Sequence, residues 1–307
     1  MRKDRRARRG PPQRVPPITT DSYFARAGRG GISDLHARTP ELLRLHDKTV
    51  VVAGLGGLGA PSAMEFARAG VAELRLADSD FVDPGTSVRW PLGLAAAGLQ
   101  KTEALRSFIA ANWPYTRVSV LDHRFGAIRV DRSERPEQEV VTDLLNGASL
   151  VYDATAEMGV AYFLSDMARQ RGLDYVCLWT APGAWSGIVA RISPDSDQPC
   201  WLCFRYALDE GSLPALPFDD QGEVQPIGCA DPTFTGAGFD VAAIALMGVR
   251  LAVSTMSEGT DGGYPRCDWD VAILRHRSDR AAIQPGVATF RLSLHPSCPV
   301  HGAKSSG

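Results

Sequence analysis

The sequence predicts an α/β protein, a Rossmann-like doubly wound sheet that becomes mixed toward its C-terminal half. An apolar run at residues 50–53 meets a glycine turn at residues 54–59 and continues into a helix pattern, which is typical of a strand–turn–helix unit. Apolar segments of strand and helix character then alternate along the chain, as they do in parallel sheets covered by helices on both faces. At Gly187 one strand follows another with no helix between them, which predicts an antiparallel part of the sheet.

The remaining elements follow in order from their periodicity. Strands are predicted at residues 73–77, 117–121, 150–153, 175–179, 187–192, 269–274 and 288–294, and helices at 100–111, 136–145 and 160–171. Residues 209–228 carry three prolines among acids and glycines, which predicts a long loop of the kind that serves as a lid. The apolar stretch 239–256 contains Asp240 and Arg250, which favours a buried helix over a membrane span.

Composition is that of an ordinary soluble globular protein, with 307 residues, 44% hydrophobic and 22% charged, and a formal net charge of −2. So small a net charge gives no overall attraction to nucleic acid or to a membrane, so neither is expected as a partner. Six cysteines in a chain of this length are too few for a disulfide framework, and we expect a cytoplasmic protein.

Three regions are predicted along the chain. Residues 1–20 form a disordered, basic and proline-rich tail, with an arm that binds polyanions as the alternative. Residues 21–302 form a single domain, and residues 303–307 are a second tail. No apolar segment follows the basic residues, so no secretory signal is expected.

The glycine turn predicts a nucleotide site. Gly54 permits the tight turn, Gly56 lets the backbone approach a phosphate, and Gly59 lets the helix pack against the strand. The helix N-terminus offers free N–H groups and a positive dipole end to an anion. Asp78 ends the next strand about twenty residues beyond the turn, where an acid that binds ribose is expected.

Two basic residues, Arg89 and Lys101, favour a triphosphate over a nicotinamide dinucleotide. A glycine turn satisfies the two charges of a pyrophosphate almost alone, whereas further fixed cations suit the larger charge of ATP. The alternative is that both side chains lie on a solvated surface. The glycine motif by itself would suggest an NAD-dependent oxidoreductase, but no candidate hydride-transfer site accompanies it.

Several motifs, in this order, resemble the adenylation domain of the ThiF/MoeB superfamily, which includes the ubiquitin-activating enzymes. They are the glycine turn at 54–59, the acidic segment from Asp78 to Arg89, Gly98 to Lys101, Asp153 to Thr155, Cys200 to Cys203, Gly228 with Cys229, and Cys298 to His301. The resemblance covers residues 20–302 and is far more specific than any single motif.

The resemblance implies that a carboxylate attacks the α-phosphate of ATP, with Mg²⁺ bridging the phosphates. The carboxylate would be the C-terminus of a ubiquitin-like or sulfur-carrier protein, or a peptide, and the protein would be a homodimer or a heterodimer. Asp78 would hold the ribose, and Arg89 and Lys101 the charge on the leaving pyrophosphate. The other residues implied at the nucleotide site are Gly54, Gly56, Gly57, Leu58, Gly59, Asp80, Thr86 and Asp153.

Two further residues acquire roles from the resemblance. Arg26 stands in a segment similar to one whose arginine reaches into the partner subunit's nucleotide site, and Arg29 is a competitor for that role. Cys229 stands where related enzymes take the activated acyl group, or a sulfur, onto a cysteine. The alternative for Cys229 is a buried, inert thiol.

The sequence departs from the family pattern at two positions. Thr86 stands where the family has asparagine, and Ala156 stands where it has the aspartate that supports Mg²⁺. Glu157, one residue later, is the candidate substitute. The rival interpretation is a catalytically silent partner subunit or carrier-binding module that keeps the fold.

Two chelating pairs, Cys200 with Cys203 and Cys298 with His301, predict a structural zinc site that staples the C-terminal region. The family usually has two cysteines in the second pair, so His301 is a departure that zinc tolerates. His295 is a second candidate for the fourth ligand. The same cysteine spacing also fits a redox pair, free thiols or a site without metal.

Overall fold

The fold centres on one eight-stranded sheet, seen in a computed structural model that describes residues 27–126, 135–225, 233–278 and 281–301. The strands in chain order are β1 (Thr49–Ala53), β2 (Glu73–Ala77), β3 (Arg117–Leu121), β4 (Leu150–Asp153), β5 (Asp174–Thr180), β6 (Ser186–Ile192), β7 (Glu223–Val224), β8 (Thr233–Phe234), β9 (Val271–Ser278) and β10 (Ala281–Phe290). The order across the large sheet is β10-β9-β6-β5-β4-β1-β2-β3, and β7 pairs with β8 separately.

Strand direction changes at the predicted place. The five strands β3, β2, β1, β4 and β5 are mutually parallel, whereas β6, β9 and β10 add in antiparallel pairs. The short connection between β5 and β6 leaves no room for a crossover helix, so the two strands can only pair antiparallel. The mixed, doubly wound sheet expected from the sequence is therefore confirmed.

Helices cover both faces of this sheet. They are α1 (Ile32–His36), α2 (Gly59–Ala69), α3 (Lys101–Asn112), α4 (Glu137–Leu145), α5 (Met158–Arg169), α6 (Trp201–Asp209) and α7 (Gly238–Met256). One apolar core lies between the sheet and α2, α3 and α7, and a second lies between the sheet and α4, α5 and α6. Alternate residues of β1 enter the two cores, Val50 and Val52 the first and Val51 and Ala53 the second.

Helix α7 is buried, as the sequence predicted. Among the described residues it alone is long and apolar enough to cross a membrane, and 61% of its apolar window is buried inside the protein. It packs on β4, β5, β6 and β9.

Three local predictions were wrong. Helix α6, which contains Cys203, is absent from the helices predicted from the sequence. Helix α5 begins at Met158, two residues before the predicted start at residue 160, so the connection from β4 is confined to residues 154–157. Strand β9 continues to Ser278 and β10 begins at Ala281, which makes a longer hairpin than its sequence pattern predicts, because cross-strand pairing extends both strands.

Candidate functional site

The glycine turn is shaped by close backbone contacts. Gly54 has φ +80°, and a Cβ atom there would lie 2.8 Å from backbone atoms of Ala154 and Thr155. A Cβ atom at Gly59 would lie 1.8 Å from the carbonyl oxygen of Gly54. A Cβ atom at Gly56 would meet nothing within 4 Å, so this part of the turn faces open space. The turn therefore combines a tight fold with one open backbone position at the start of α2.

Asp78 follows the end of β2 beside this turn. One of its carboxylate oxygens accepts a hydrogen bond from the Leu55 N–H at 2.6 Å, and the other accepts one from the Asp80 N–H at 2.7 Å. The Lys101 ammonium lies 3.9 Å from Asp78 and 2.8 Å from the more exposed carboxylate of Asp80. Burial raises the pKa of Asp78, and the charge of Lys101 opposes that rise. Three predicted site residues are thus brought together.

Arg89 also lies beside the glycine turn, close to Gly57. A Cβ atom placed at Gly57 would lie 3.6 Å from the Arg89 side chain. The guanidinium donates to the Phe234 carbonyl and, at 2.7 Å, to the Thr233 hydroxyl, and it lies 4.2 Å from the centre of the Phe234 ring. Burial lowers the pKa of Arg89. These contacts fix the arginine beside the turn and tie it to β8.

The short turn from Pro84 to Val88 carries Arg89 into place. Asp83 accepts from the Gly85 N–H at 2.7 Å, which caps this turn. The Thr86 hydroxyl donates to the Asp83 carbonyl at 2.7 Å, so this hydroxyl bonds within its own turn. The indole of Trp90 donates to the Leu55 carbonyl at 2.8 Å and holds the segment against the glycine turn.

Residues 154–157 connect β4 to α5 and adjoin the glycine turn through Ala154 and Thr155, whose backbone atoms lie 2.8 Å from a Cβ atom placed at Gly54. Asp153 is buried at the end of β4, and its carboxylate accepts from the Thr155 N–H at 2.9 Å, the Thr155 hydroxyl at 2.7 Å and the Tyr175 hydroxyl at 2.5 Å. Burial raises the pKa of Asp153. In this structure Asp153 stabilises the conformation of residues 154–157 through its bonds to Thr155. Its contact with a nucleotide stays a prediction.

Ala156 and Glu157 complete this segment. Ala156 has φ +60°, a left-handed conformation that is unusual for a residue other than glycine. The Glu157 carboxylate is exposed and, within the described part of the chain, has no hydrogen-bond or ion-pair partner. It therefore remains available for a cation.

Two of the predicted functional residues, Arg26 and Cys229, lie outside the described residues. Arg29, the competitor of Arg26, is exposed and pairs with Asp34 at 3.2 Å. Thr233, the first described residue after the segment that contains Cys229, is the one bonded to Arg89.

The four predicted metal ligands, Cys200, Cys203, Cys298 and His301, converge, with all ligand atoms within 4.8 Å of one another. The Cys200 sulfur lies 4.0 Å from the Cys203 sulfur and 3.5 Å from the Cys298 sulfur, and the His301 Nδ1 lies 3.3 Å from Cys203. In a tetrahedral site with metal–sulfur bonds of about 2.3 Å, the sulfurs lie about 3.8 Å apart. The cluster is a donor set for one metal ion.

His295 is not a member of this cluster. Its ring pairs with Glu210 at 2.8 Å, accepts from the Ser297 N–H at 3.2 Å and stacks on Tyr206. Its backbone N–H donates to the Cys203 sulfur at 3.3 Å, which is a supporting contact for a thiolate ligand.

Sequence reasoning missed Tyr175, Phe234 and Trp90. Each bonds or stacks on a site residue that is distant along the chain. Tyr175 stands in an ordinary strand pattern and carries no local signal of its role. The aromatic residues next to Arg89 and Thr233 offered a weak signal, because cations often stack on aromatic rings.

Comparison with known proteins agrees with this architecture. The chain is 35% identical over 279 residues to the uncharacterized protein y4qC of Sinorhizobium fredii, covering 88% of this chain and 46% of that protein. It is 30% identical over 189 residues to the probable adenylyltransferase/sulfurtransferase MoeZ of Mycobacterium tuberculosis, covering 61% of this chain and 45% of MoeZ. The chain thus spans less than half the length of either relative.

The fold is similar to that of E. coli MccB. A crystal structure of MccB with ATP matches with a TM-score of 0.61 and 14% identity, covering 85% of this chain and 69% of that one. A structure with MccA-N7isoASN matches with a TM-score of 0.63 and 14% identity, covering 89% and 75%. The ThiF family model matches residues 33–258, the larger part of the sequence, and the chain belongs to the ThiF family.

Proposed function

We propose that this chain is an ATP-dependent adenylyltransferase that activates a carboxylate as an acyl adenylate. The observation that carries the proposal is the arrangement of Asp78, Lys101 and Arg89 around the glycine turn. An acid for ribose hydroxyls, an open backbone position for phosphate and two cations are what a triphosphate needs. The adenylyltransferase name of MoeZ and the ATP complex of MccB support the same chemistry.

The reaction would proceed by displacement at the α-phosphate of ATP. A carboxylate oxygen forms a bond to that phosphorus while the bond to the β-phosphate oxygen breaks, and pyrophosphate leaves with the electron pair. Lys101 and Arg89 would stabilise the negative charge that accumulates on the leaving group. Lys101 pairs with Asp80 in this structure, so it would exchange that partner for a phosphate.

Mg²⁺ fits the acidic side chains of the site. When bound, it would neutralise phosphate charge and orient the triphosphate. The Glu157 carboxylate, which has no partner within the described residues, and that of Asp80 would hold it. Because Ala156 offers no carboxylate, Glu157 is the proposed replacement.

We propose the C-terminus of a ubiquitin-like or sulfur-carrier protein, or of a peptide, as the acyl substrate. MoeZ is named an adenylyltransferase and sulfurtransferase, and MccB was crystallised with MccA-N7isoASN. Transfer of the activated acyl group to Cys229 would form a thioester, with AMP as the leaving group. Mass spectrometry of the wild type and of Cys229→Ala after incubation with Mg-ATP and a sulfur-carrier protein tests this transfer.

A silent partner subunit is the second candidate, and Ala156 is the observation that favours it. A site without its metal-supporting carboxylate would bind ATP but turn it over slowly or not at all. The comparisons favour adenylation over an oxidoreductase, because MoeZ and other similar proteins are named adenylyltransferases or activating enzymes.

The nucleotide products distinguish these candidates. Incubation of the purified chain with Mg-ATP and a sulfur-carrier protein, followed by chromatography, should show pyrophosphate and the acyl adenylate, and AMP once a thiol or water attacks that adenylate. Formation of ADP would contradict adenylation. If the wild type forms no pyrophosphate and Ala156→Asp does, the chain is the silent subunit.

We further propose that the Cys₃His cluster binds zinc, that the protein forms a dimer in which Arg26 reaches the partner's site, and that it acts in the cytoplasm. Three soft sulfur ligands and one imidazole suit zinc better than a hard cation. Elemental analysis and sedimentation velocity test the first two proposals.

A further inference from the structure

The segment of residues 154–157 has a conformation that its own sequence does not favour. Ala156 is left-handed, with φ +60°, although a side chain at this φ crowds the backbone. Such residues persist only where the surrounding structure enforces them, and they cluster at functional sites. Something outside the segment must therefore hold it.

A chain of buried hydrogen bonds supplies that constraint. The Tyr175 hydroxyl donates to one oxygen of Asp153 at 2.5 Å, and the other oxygen accepts both the N–H and the hydroxyl of Thr155. The Thr155 hydroxyl oxygen in turn lies 3.4 Å from the Glu157 N–H. The chain of contacts thus runs from β5 to the first residue before α5.

Tyr175 is itself held rigidly. Its side chain is 1% exposed, and its ring packs edge to face on Trp201 with centres 6.3 Å apart. Val151 of β4 is its direct neighbour in the parallel register, so Asp153 lies diagonally across from it. A buried hydroxyl on a central strand is a fixed donor, unlike one on a loop.

The segment held in this way touches the glycine turn. The Ala154 N–H donates to the Ala53 carbonyl at 2.8 Å, and backbone atoms of Ala154 and Thr155 lie 2.8 Å from the position of a Cβ atom added to Gly54. A shift of Thr155 would therefore displace either the glycine turn or Glu157. Both belong to the proposed nucleotide site.

We propose that Tyr175 is a positioning residue of this site, which acts through Asp153 to hold Thr155, Ala156 and Glu157 against the glycine turn. The inference rests on the proposed adenylation for its kinetic consequence. Its structural part rests on the hydrogen bonds among Tyr175, Asp153 and Thr155 alone.

Tyr175→Phe tests the proposal, because it removes one oxygen and leaves the ring. The loss leaves an oxygen of Asp153 buried without a donor, which should lower the kcat for pyrophosphate exchange about tenfold. The KM for ATP should change by less than about twofold, since Asp78, Arg89 and Lys101 remain in place.

Tyr152→Phe is the matched control. Tyr152 is equally buried on β4, but its hydroxyl bonds Ser62 and the Ala245 carbonyl on the opposite face of the sheet. The Tyr152→Phe variant should lose about as much stability as Tyr175→Phe and keep the kcat of the wild type. Equal kcat losses in the two variants would overturn the proposal.

A double-mutant cycle tests the route through Asp153. Asp153→Ala with Tyr175→Phe should be no slower than Asp153→Ala alone, because the hydroxyl would then have nothing to hold. Additive losses would show that Tyr175 acts by another route and would overturn the proposal.

Amide hydrogen exchange separates this inference from the proposed function. The Thr155 N–H should exchange about tenfold faster in Tyr175→Phe than in the wild type, and at the wild-type rate in Tyr152→Phe. If the wild type shows no ATP–pyrophosphate exchange, the proposed function fails. The hydrogen-exchange rate of the Thr155 amide still decides whether Tyr175 positions the segment. Unchanged protection in Tyr175→Phe would overturn it.

Discussion

At the scale of single residues, the glycine turn contains one position that must be glycine for folding, Gly59, and one for which we propose that phosphate binding requires glycine, Gly56. Gly59 has no room for a side chain, since a Cβ atom would lie 1.8 Å from a carbonyl oxygen. Gly56 has open space around it. The sequence motif treats both alike, and only the packing distinguishes them.

Gly59→Ala and Gly56→Ala should therefore differ. Gly59→Ala should lower the free energy of unfolding by about 3 kcal/mol, because backbone would have to move. Gly56→Ala should change it by less than about 0.5 kcal/mol and weaken ATP binding about tenfold, because the methyl group occupies the space for phosphate. Denaturant titration and calorimetry measure the two effects. Tight ATP binding by Gly56→Ala would show that phosphate binds elsewhere.

Lys101 should contribute directly to ATP binding. Its side chain is only 12% exposed and lies between Asp78 and Asp80, so it is fixed in the site. Lys101→Ala should weaken binding of ATP about tenfold by calorimetry and leave the weaker binding of NAD unchanged. Lys48→Ala is the control, because Lys48 precedes β1 at the opposite edge of the sheet and pairs with Asp47. Equal loss in both variants would remove Lys101 from the site.

At the scale of elements, the parallel half of the sheet followed directly from the sequence. Strands β2, β3 and β4 have the predicted bounds, and the antiparallel β6 was expected from the short connection at residues 181–185. These strands are buried runs or alternating segments whose pattern is local.

The parts that the sequence did not predict depend on distant contacts. Helix α6 presents Trp201 and Phe204 to the second core, and Cys200 of the Cys₃His cluster directly precedes its first residue. The hydrogen bond from Tyr175 to Asp153 joins residues 22 positions apart on neighbouring strands. The approach of Arg89 to Phe234 spans 145 residues. The spacing of apolar residues along the chain cannot reveal pairs that are so far apart in the sequence.

Asp174, the first residue of β5, should make the free energy of unfolding depend on pH. Burial raises the pKa of Asp174 from its ordinary 3.8 to about 6, and Arg191 only partly opposes this rise. A raised carboxyl pKa means that protonation favours the folded state. The resulting stability is present at low pH and is lost as the pH rises through about 6.

Asp174→Asn should remove this dependence. At pH 7 it should raise the free energy of unfolding by about 2 to 3 kcal/mol relative to the wild type, and near pH 4 by less than about 1 kcal/mol. Denaturant titrations at the two pH values measure the difference. A gain of the same size at both pH values would contradict a titration of Asp174.

The proposed zinc ion in the Cys₃His cluster should link α6 to the C-terminal segment. Cys200→Ser should lose the bound metal and lower the free energy of unfolding by about 3 kcal/mol, or roughly 10 °C in Tm, since metal binding is coupled to folding. Cys267→Ser is the matched control, because Cys267 lies outside the cluster. Elemental analysis and thermal unfolding measure both changes. Full metal content in Cys200→Ser would exclude that cysteine as a ligand.

At the scale of the whole molecule, the site lies where a doubly wound sheet places it. The carboxyl ends of β1, β2 and β4 carry the glycine turn, Asp78 and residues 154–157 to one edge, and the crossover segment with Arg89 closes over them. The departures from the family pattern lie in this same edge, at Thr86 and Ala156. We infer that this edge still supports adenylation, with Glu157 in the place of the missing aspartate.

ATP–pyrophosphate exchange measures whether Glu157 fills this role, with a sulfur-carrier protein and peptides of varied C-terminal residues as carboxylate probes. The wild type should transfer labelled pyrophosphate into ATP with at least one probe. Glu157→Ala should lower the rate about a hundredfold while ATP binding stays within about twofold, because the acid supports the transition state more than the ground state. An unchanged rate in Glu157→Ala would show that Glu157 does not replace the aspartate, and no exchange by a wild type that binds ATP would show that this edge does not support adenylation.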